Sequence, residues 1–101
     1  MERQLEILIL DMACDDLLER VKTFFDDEPV VLKVVDDLAL FETLANKKKR
    51  VAMDMAIILV EGSNSHLIKP KYPIPTFVFQ QHTYTHKKLS QFYRESGGGD
   101  G

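Results

Sequence analysis

Two uninterrupted apolar runs constrain this chain more than anything else in it. Leu5-Glu6-Ile7-Leu8-Ile9-Leu10 carries four consecutive apolar residues after Glu6, and Ala56-Ile57-Ile58-Leu59-Val60 carries five. A strand with one face in water alternates apolar and polar residues, whereas a strand apolar at every position must be covered on both faces. Two such strands predict the centre of a parallel sheet with helices on both sides. Neither run approaches the roughly 20 residues that a membrane-spanning helix needs, so no membrane association is expected.

The segments between the runs carry a helical period. Leu17, Leu18, Val21, Phe24 and Phe25 form one apolar face, with Asp15 or Asp16 placed to cap the helix and Asp26-Asp27-Glu28-Pro29 placed to end it. Val30-Val31-Leu32-Lys33-Val34-Val35 is β-branched, and Lys33 marks it as an edge strand. Asp36-Asp37 opens a second helix with Leu38, Phe41, Leu44 and Ala45 inward. Residues 61–75 hold Gly62, Ser63, Asn64, Ser65 and three prolines, and read as a long loop. Thr76-Phe77-Val78-Phe79-Gln80 is a fourth strand, and a short helix follows from His82 or Thr85 to Arg94, with Leu89, Phe92 and Tyr93 on one face. A parallel fourth strand needs a crossover of about a dozen residues, which 61–75 supplies. An antiparallel fourth strand is the alternative.

With 45% apolar and 29% charged residues, the composition is that of a globular domain rather than a disordered or fibrous chain. Residues 1–95 are expected to form a single α/β domain, with 96–101 a glycine-rich tail. Cys14 is the one cysteine, which fits a reducing, cytoplasmic setting, and the N-terminal residues lack the pattern of a secretory signal. The net charge of −3 hides a split: residues 1–42 carry twelve acids and four bases, residues 43–101 nine bases and four acids. Opposed halves suit association with a copy of the chain or with a charged partner.

Ile7-Leu8-Ile9-Leu10-Asp11, Asp15-Asp16-Leu17-Leu18-Glu19-Arg20-Val21-Lys22, Asp37-Leu38-Ala39-Leu40-Phe41-Glu42-Thr43-Leu44, Asp54-Met55-Ala56-Ile57-Ile58-Leu59 and Ile74-Pro75-Thr76-Phe77-Val78-Phe79 stand in the order of elements of a response-regulator receiver domain, and the chain resembles that flavodoxin-like family. The resemblance implies a phosphoacceptor aspartate at the end of the third strand, and this chain reads Leu59-Val60-Glu61 there. It implies two acids at the end of the first strand, where only Asp11 matches. It implies Ser or Thr after the fourth strand, where Gln80-Gln81 stands, and a fifth strand with a lysine, which is missing. Lys69-Pro70 is similar to the family's lysine-proline pair but precedes the fourth strand. The resemblance therefore implies a shortened, degenerate receiver, a pseudo-receiver.

Several residue sets invite chemistry. Cys14 and Arg20 have the C-x₅-R spacing of a cysteine phosphatase, but Asp15, Asp16 and Glu19 between them would repel phosphate and no glycine opens the loop. His82 and His86 would share a helix face and could meet Zn²⁺ with a third ligand from His66, Cys14 or Glu61. Asp11 and Glu61 are weak candidates for a Mg²⁺ pair at the strand ends. Lys47, Lys48, Lys49, Arg50, Lys69, Lys71, Lys87, Lys88 and Arg94, interleaved with Tyr72, Tyr84 and Tyr93, form a basic patch that could touch nucleic acid, against which stand the sequence pI of about 5.5 and the lack of a known motif.

The expectation is a small four-stranded, mainly parallel α/β sheet flanked by helices, strand order 2-1-3-4. Its expected role is a non-catalytic interaction or signalling module with a protein partner, foremost itself as a homodimer. Tyr72 and Ile74 of the loop 61–75, Phe77 and Phe79 of an uncovered fourth strand, and Phe92 and Tyr93 of the last helix are the expected interface. No catalytic residue, resident metal or cofactor is assigned. A phosphotransfer or metal-dependent enzyme using the strand-end acids, or a nucleic-acid-binding accessory protein, is the alternative.

Overall fold

The computed structural model of the chain describes residues 4–13, 16–46, 53–61 and 72–97. Among them are β1 (Leu5–Met12), α1 (Leu17–Phe24), β2 (Val30–Val35), α2 (Leu38–Ala45), β3 (Met55–Val60), β4 (Thr76–Phe79) and α3 (His86–Glu95). The strands form one sheet in the order β2-β1-β3-β4, with every pairing parallel. β4 aligns with β3 from Ala56 opposite Thr76 to Leu59 opposite Phe79, which decides against the antiparallel alternative. Residues 1–3, 14–15, 47–52, 62–71 and 98–101 fall outside the described residues, and with them Cys14, Asp15, His66, Lys47 to Arg50, Lys69, Lys71 and the end of the glycine-rich tail.

The two strands that are apolar on both sides take the centre. Ile7 to Leu10 of β1 and all six residues of β3 are buried. Alternation along the strands divides their side chains between two cores. Ile7, Ile9, Ile57 and Leu59 meet Leu17 and Val21 of α1 and Leu89 and Tyr93 of α3. Leu8, Leu10, Ile58 and Val60 meet Phe41 and Ala45 of α2. The result is three layers, with α1 and α3 on one face of the sheet and α2 on the other. Each fully buried Leu, Ile or Phe contributes about 1.5–3 kcal/mol relative to exposure. Ring edges fasten α3 to the end of α1, with Phe25 and Tyr93 centroids 5.3 Å apart at 84°.

The helix entries show how far local signals carry. Asp37 precedes α2 in an extended conformation, and its Oδ2 accepts from Leu40 N at 3.0 Å. Thr85 precedes α3 in the same conformation, and its Oγ1 accepts from Lys88 N at 3.0 Å. Asp16 precedes α1 at φ −91° and ψ 20°, a geometry that does not aim its carboxylate at the helix amides, and it makes no cap bond. Its Oδ1 accepts instead from Gln81 Nε2 at 3.4 Å. No helix among the described residues is long and apolar enough to cross a membrane.

Candidate functional site

The carboxyl ends of the strands bring together less chemistry than their acids suggest. Asp11 lies opposite Leu59 in the register, and Glu61 comes two residues after Leu59, directly following β3, so both stand at the same end of the sheet. The Asp11 carboxylate is turned back on its own chain, where Oδ1 accepts from Ala13 N at 3.4 Å. Leu59 and Val60, at the tip of β3, are fully buried and carry no nucleophile. Among the described residues no group of three His, Cys, Asp or Glu side chains is placed to hold a metal ion.

The histidine pair does not share a helix face. His82 lies in the turn over residues 81–83, and His86 is the first residue of α3. The His86 ring sits 5.8 Å from Phe24 and 5.5 Å from Tyr84, centroid to centroid. Of the basic patch, Lys87 and Lys88 are exposed in the first turn of α3 and Arg94 in its last. Two of the tyrosines read as stacking partners for bases are spent in the core: Tyr84 and Tyr93 are each 3% exposed.

The six residues expected to form the interface separate into three groups. Phe79 and Tyr93 belong to the core between the sheet and α3, so they are corrected from interface to core residues. The reason is that α3 covers this face of β4, where the sequence reading left it bare. Tyr72 and Ile74 lie on the opposite face, against the core under α2. Tyr72 is held there by a ring contact to Phe41, 5.4 Å between centroids, and by its hydroxyl, which donates to Glu42 Oε2 at 3.1 Å. Burial and the Glu42 carboxylate both push the Tyr72 phenol above its usual pKa. Phe77 and Phe92 remain at the edge, stacked flat with centroids 4.1 Å apart and planes 7° from parallel. Both are partly exposed. Beside them runs a groove of about 540 Å³, bordered by Val78, Gln80, Lys88, Gln91 and Phe92.

A second arrangement escaped the sequence reading. The Arg20 guanidinium lies over the Tyr84 ring, 4.8 Å from its centroid. The Tyr84 hydroxyl is buried without a hydrogen-bond partner among the described residues, which costs about 1–3 kcal/mol for such a group. Burial pushes its pKa up to about 12, against a smaller downward pull from Arg20. Arg20 and Tyr84 are 64 positions apart, and nothing local in the sequence joins them. No family model, curated protein or solved structure matches the chain.

Proposed function

We propose that this chain is a non-catalytic protein-interaction module of the pseudo-receiver, signalling kind, working in the cytoplasm and self-associating through β4 and α3. The observation that carries the reading is the free edge of β4. Among the described residues the strand is bonded to β3 on one side only, with Phe77 and Phe92 partly exposed beside it. An edge strand offers unpaired N–H and C=O groups to another chain, and natural edges are guarded by charged residues, proline or bulges. Thr76-Phe77-Val78-Phe79 contains neither charge nor proline.

Four residues make a short ladder. The contact therefore extends over the adjoining surface of α3, through Gln91 and Phe92, toward the roughly 1,200–2,000 Å² that stable interfaces bury. A second copy is the favoured partner because a twofold axis beside β4 sets the two edges antiparallel and brings both copies of Phe77 to the same contact. The receiver-like part of the proposal draws support from the strand order and from the helices on both faces. Leu59 and Val60, where a working receiver would carry its phosphoacceptor, favour binding over phosphotransfer.

Amide hydrogen exchange at low and high protein concentration tests this. The amides of Thr76 to Phe79 are expected to exchange more slowly as concentration rises, while those of Val30 to Val35 stay constant. Exchange on β4 that is independent of concentration contradicts self-association through this edge.

A further inference from the structure

The outer edge of β4 offers fewer main-chain groups than the strand has residues. Along a strand, successive residues turn their N–H and C=O groups to opposite sides. Ala56 N donates to Pro75 O at 2.8 Å, and Ala56 lies beside Thr76 in the register. Pro75, Phe77 and Phe79 therefore direct their main chain at β3, and Thr76 and Val78 direct theirs outward. The edge is closed at both ends. Gln80 N donates to Thr83 Oγ1 at 3.0 Å, and Gln80 O accepts from Thr83 N at 3.1 Å and from Tyr84 N at 3.0 Å. At the other end Ile74 O accepts from Thr76 Oγ1 at 3.0 Å.

Helix α3 carries a charge pattern beside this edge. Lys88, Gln91 and Phe92 border the groove next to Val78 and Gln80, so this side of the helix faces the edge. At 3.6 residues per turn, Glu95 falls on the same stripe as Lys88, about 10 Å further along the axis. Its carboxylate accepts from Gln91 Nε2 at 3.3 Å. Lys88 and Glu95 are both exposed. Lys87 and Arg94 fall on the far side of the helix from the sheet. Phe92, between Lys88 and Glu95, stacks on Phe77 with centroids 4.1 Å apart. The midpoint of the two charges on α3 therefore lies over Phe77, which is also the midpoint between the outward residues Thr76 and Val78.

We propose that two copies of the chain join with Phe77 on the twofold axis, Thr76 of each opposite Val78 of the other, and Lys88 of each α3 against Glu95 of the other copy. The inference rests on the self-association reading and adds to it the register and the charges that select the partner. This register uses every outward group, since residues so paired exchange both hydrogen bonds, while Phe77 faces its copy with Cα atoms about 4.5 Å apart. An axis at Val78 would set Thr76 against Gln80, whose groups are already bonded to Thr83 and Tyr84. An axis at Thr76 would set Val78 against Ile74, where the chain bends and the carbonyl is taken. The axis of an antiparallel pair stands perpendicular to the sheet, so both α3 helices lie on one face and run in opposite directions. Helices packed side by side lie about 8–10 Å apart, a span that lysine and glutamate side chains bridge. The lysine near the start of one helix then meets the glutamate at the end of the other, and the contact occurs twice. A wholly basic or wholly acidic partner would oppose one of the two charges.

Charge reversal in the full chain is the test, read by sedimentation equilibrium. Lys88→Glu places an acid in the first turn of α3 and Glu95→Lys a base in its last, both of which suit the helix dipole, so both variants keep the fold. Each alone sets like charges together at both contacts and should weaken dimerisation about tenfold. An equimolar mixture of the two variants restores opposite charges at both contacts and should dimerise as tightly as the wild type, as should the double variant Lys88→Glu/Glu95→Lys. Oxidation in a Cys14→Ser background supplies a second reading: Phe77→Cys should form a covalent dimer faster than Thr76→Cys or Val78→Cys, because only Phe77 faces its own copy. A wild type that dimerises while the single reversals dimerise equally well, or while their mixture stays as weak as each alone, overturns this register and leaves self-association standing. Faster cross-linking of Thr76→Cys or Val78→Cys does the same. A wild type that is monomeric at every concentration overturns both the register and the self-association it rests on.

Discussion

Strands β2 and β4 occupy the two edges of one sheet, on either flank of the buried pair β1 and β3. β2 exposes the more apolar surface: Val31 is 44% and Val34 41% exposed. It is also the better guarded, with Lys33 exposed within the strand, Asp26, Asp27 and Glu28 before it, and Asp36 and Asp37 after it. A chain pairing there would bury the Lys33 ammonium or crowd the acids, and both cost free energy. β4 has no charge within it and is covered on one face by α3, leaving the Phe77–Phe92 stack at the rim. The comparison teaches that exposed apolar area does not by itself mark an interface. The charges around an edge decide whether its open backbone can be used.

The sharpest way to break this comparison is a pair of substitutions two residues apart on the same face of β4. Phe79→Glu puts an unpaired carboxylate into the core, where Phe79 is 2% exposed, and is expected to cost about 4 kcal/mol or more and abolish folding. Phe77→Glu leaves its carboxylate able to reach water, so it should cost about 1–2 kcal/mol and keep the fold. Urea denaturation separates the two, and equal losses would deny that α3 covers β4 unevenly. On the other edge, Lys33→Val removes the guard from β2, and light scattering should then detect assemblies larger than a dimer. An unchanged mass would mean that the flanking acids alone protect that edge.

The β4 side also governs the alkaline limit of stability. The Tyr84 phenol is raised to about 12 in the folded chain from its ordinary value of 10.0. Below pH 10 the phenol is neutral in both states and its contribution is complete. Between pH 10 and about 12 the unfolded chain ionises first, so stability falls as pH rises. Tyr84→Phe should flatten that decline in denaturant midpoints, leaving the smaller slope due to Tyr72, which is raised as well. An identical decline in the variant would remove Tyr84 from the account. The smallest effects belong to the helix entries that follow each edge. Asp37→Ala and Thr85→Ala should each cost about 1 kcal/mol in thermal unfolding, and Asp16→Ala only a few tenths, because a cap contributes through the bond it makes.

The central strands were legible because an unbroken apolar run has only one way to escape water on both sides. The helices were legible from their period, and the order 2-1-3-4 from the receiver-like succession of elements. What the chain did not reveal locally was where α3 docks. Its apolar face is plain in Leu89, Phe92 and Tyr93, but the partner face on β4 is set by the topology. Alternation already places Phe77 and Phe79 on one side, so a helix over either must approach both. The position of each relative to the helix end, which buries Phe79 and leaves Phe77 partly open, is a tertiary matter. The failure of Asp16 to cap α1 has the same origin, since backbone angles at the turn override residue type. Arg20 over Tyr84 is a contact between distant positions that no local period encodes.

Light-scattering mass across a range of protein concentrations tests the open β4 edge most directly. Mass should climb from the monomer value of 11.6 kDa toward a dimer as concentration rises, and should stay at the monomer value for folded Phe77→Glu. A wild-type mass fixed at the monomer value throughout, or a dimer that persists in folded Phe77→Glu, contradicts an interface built on β4.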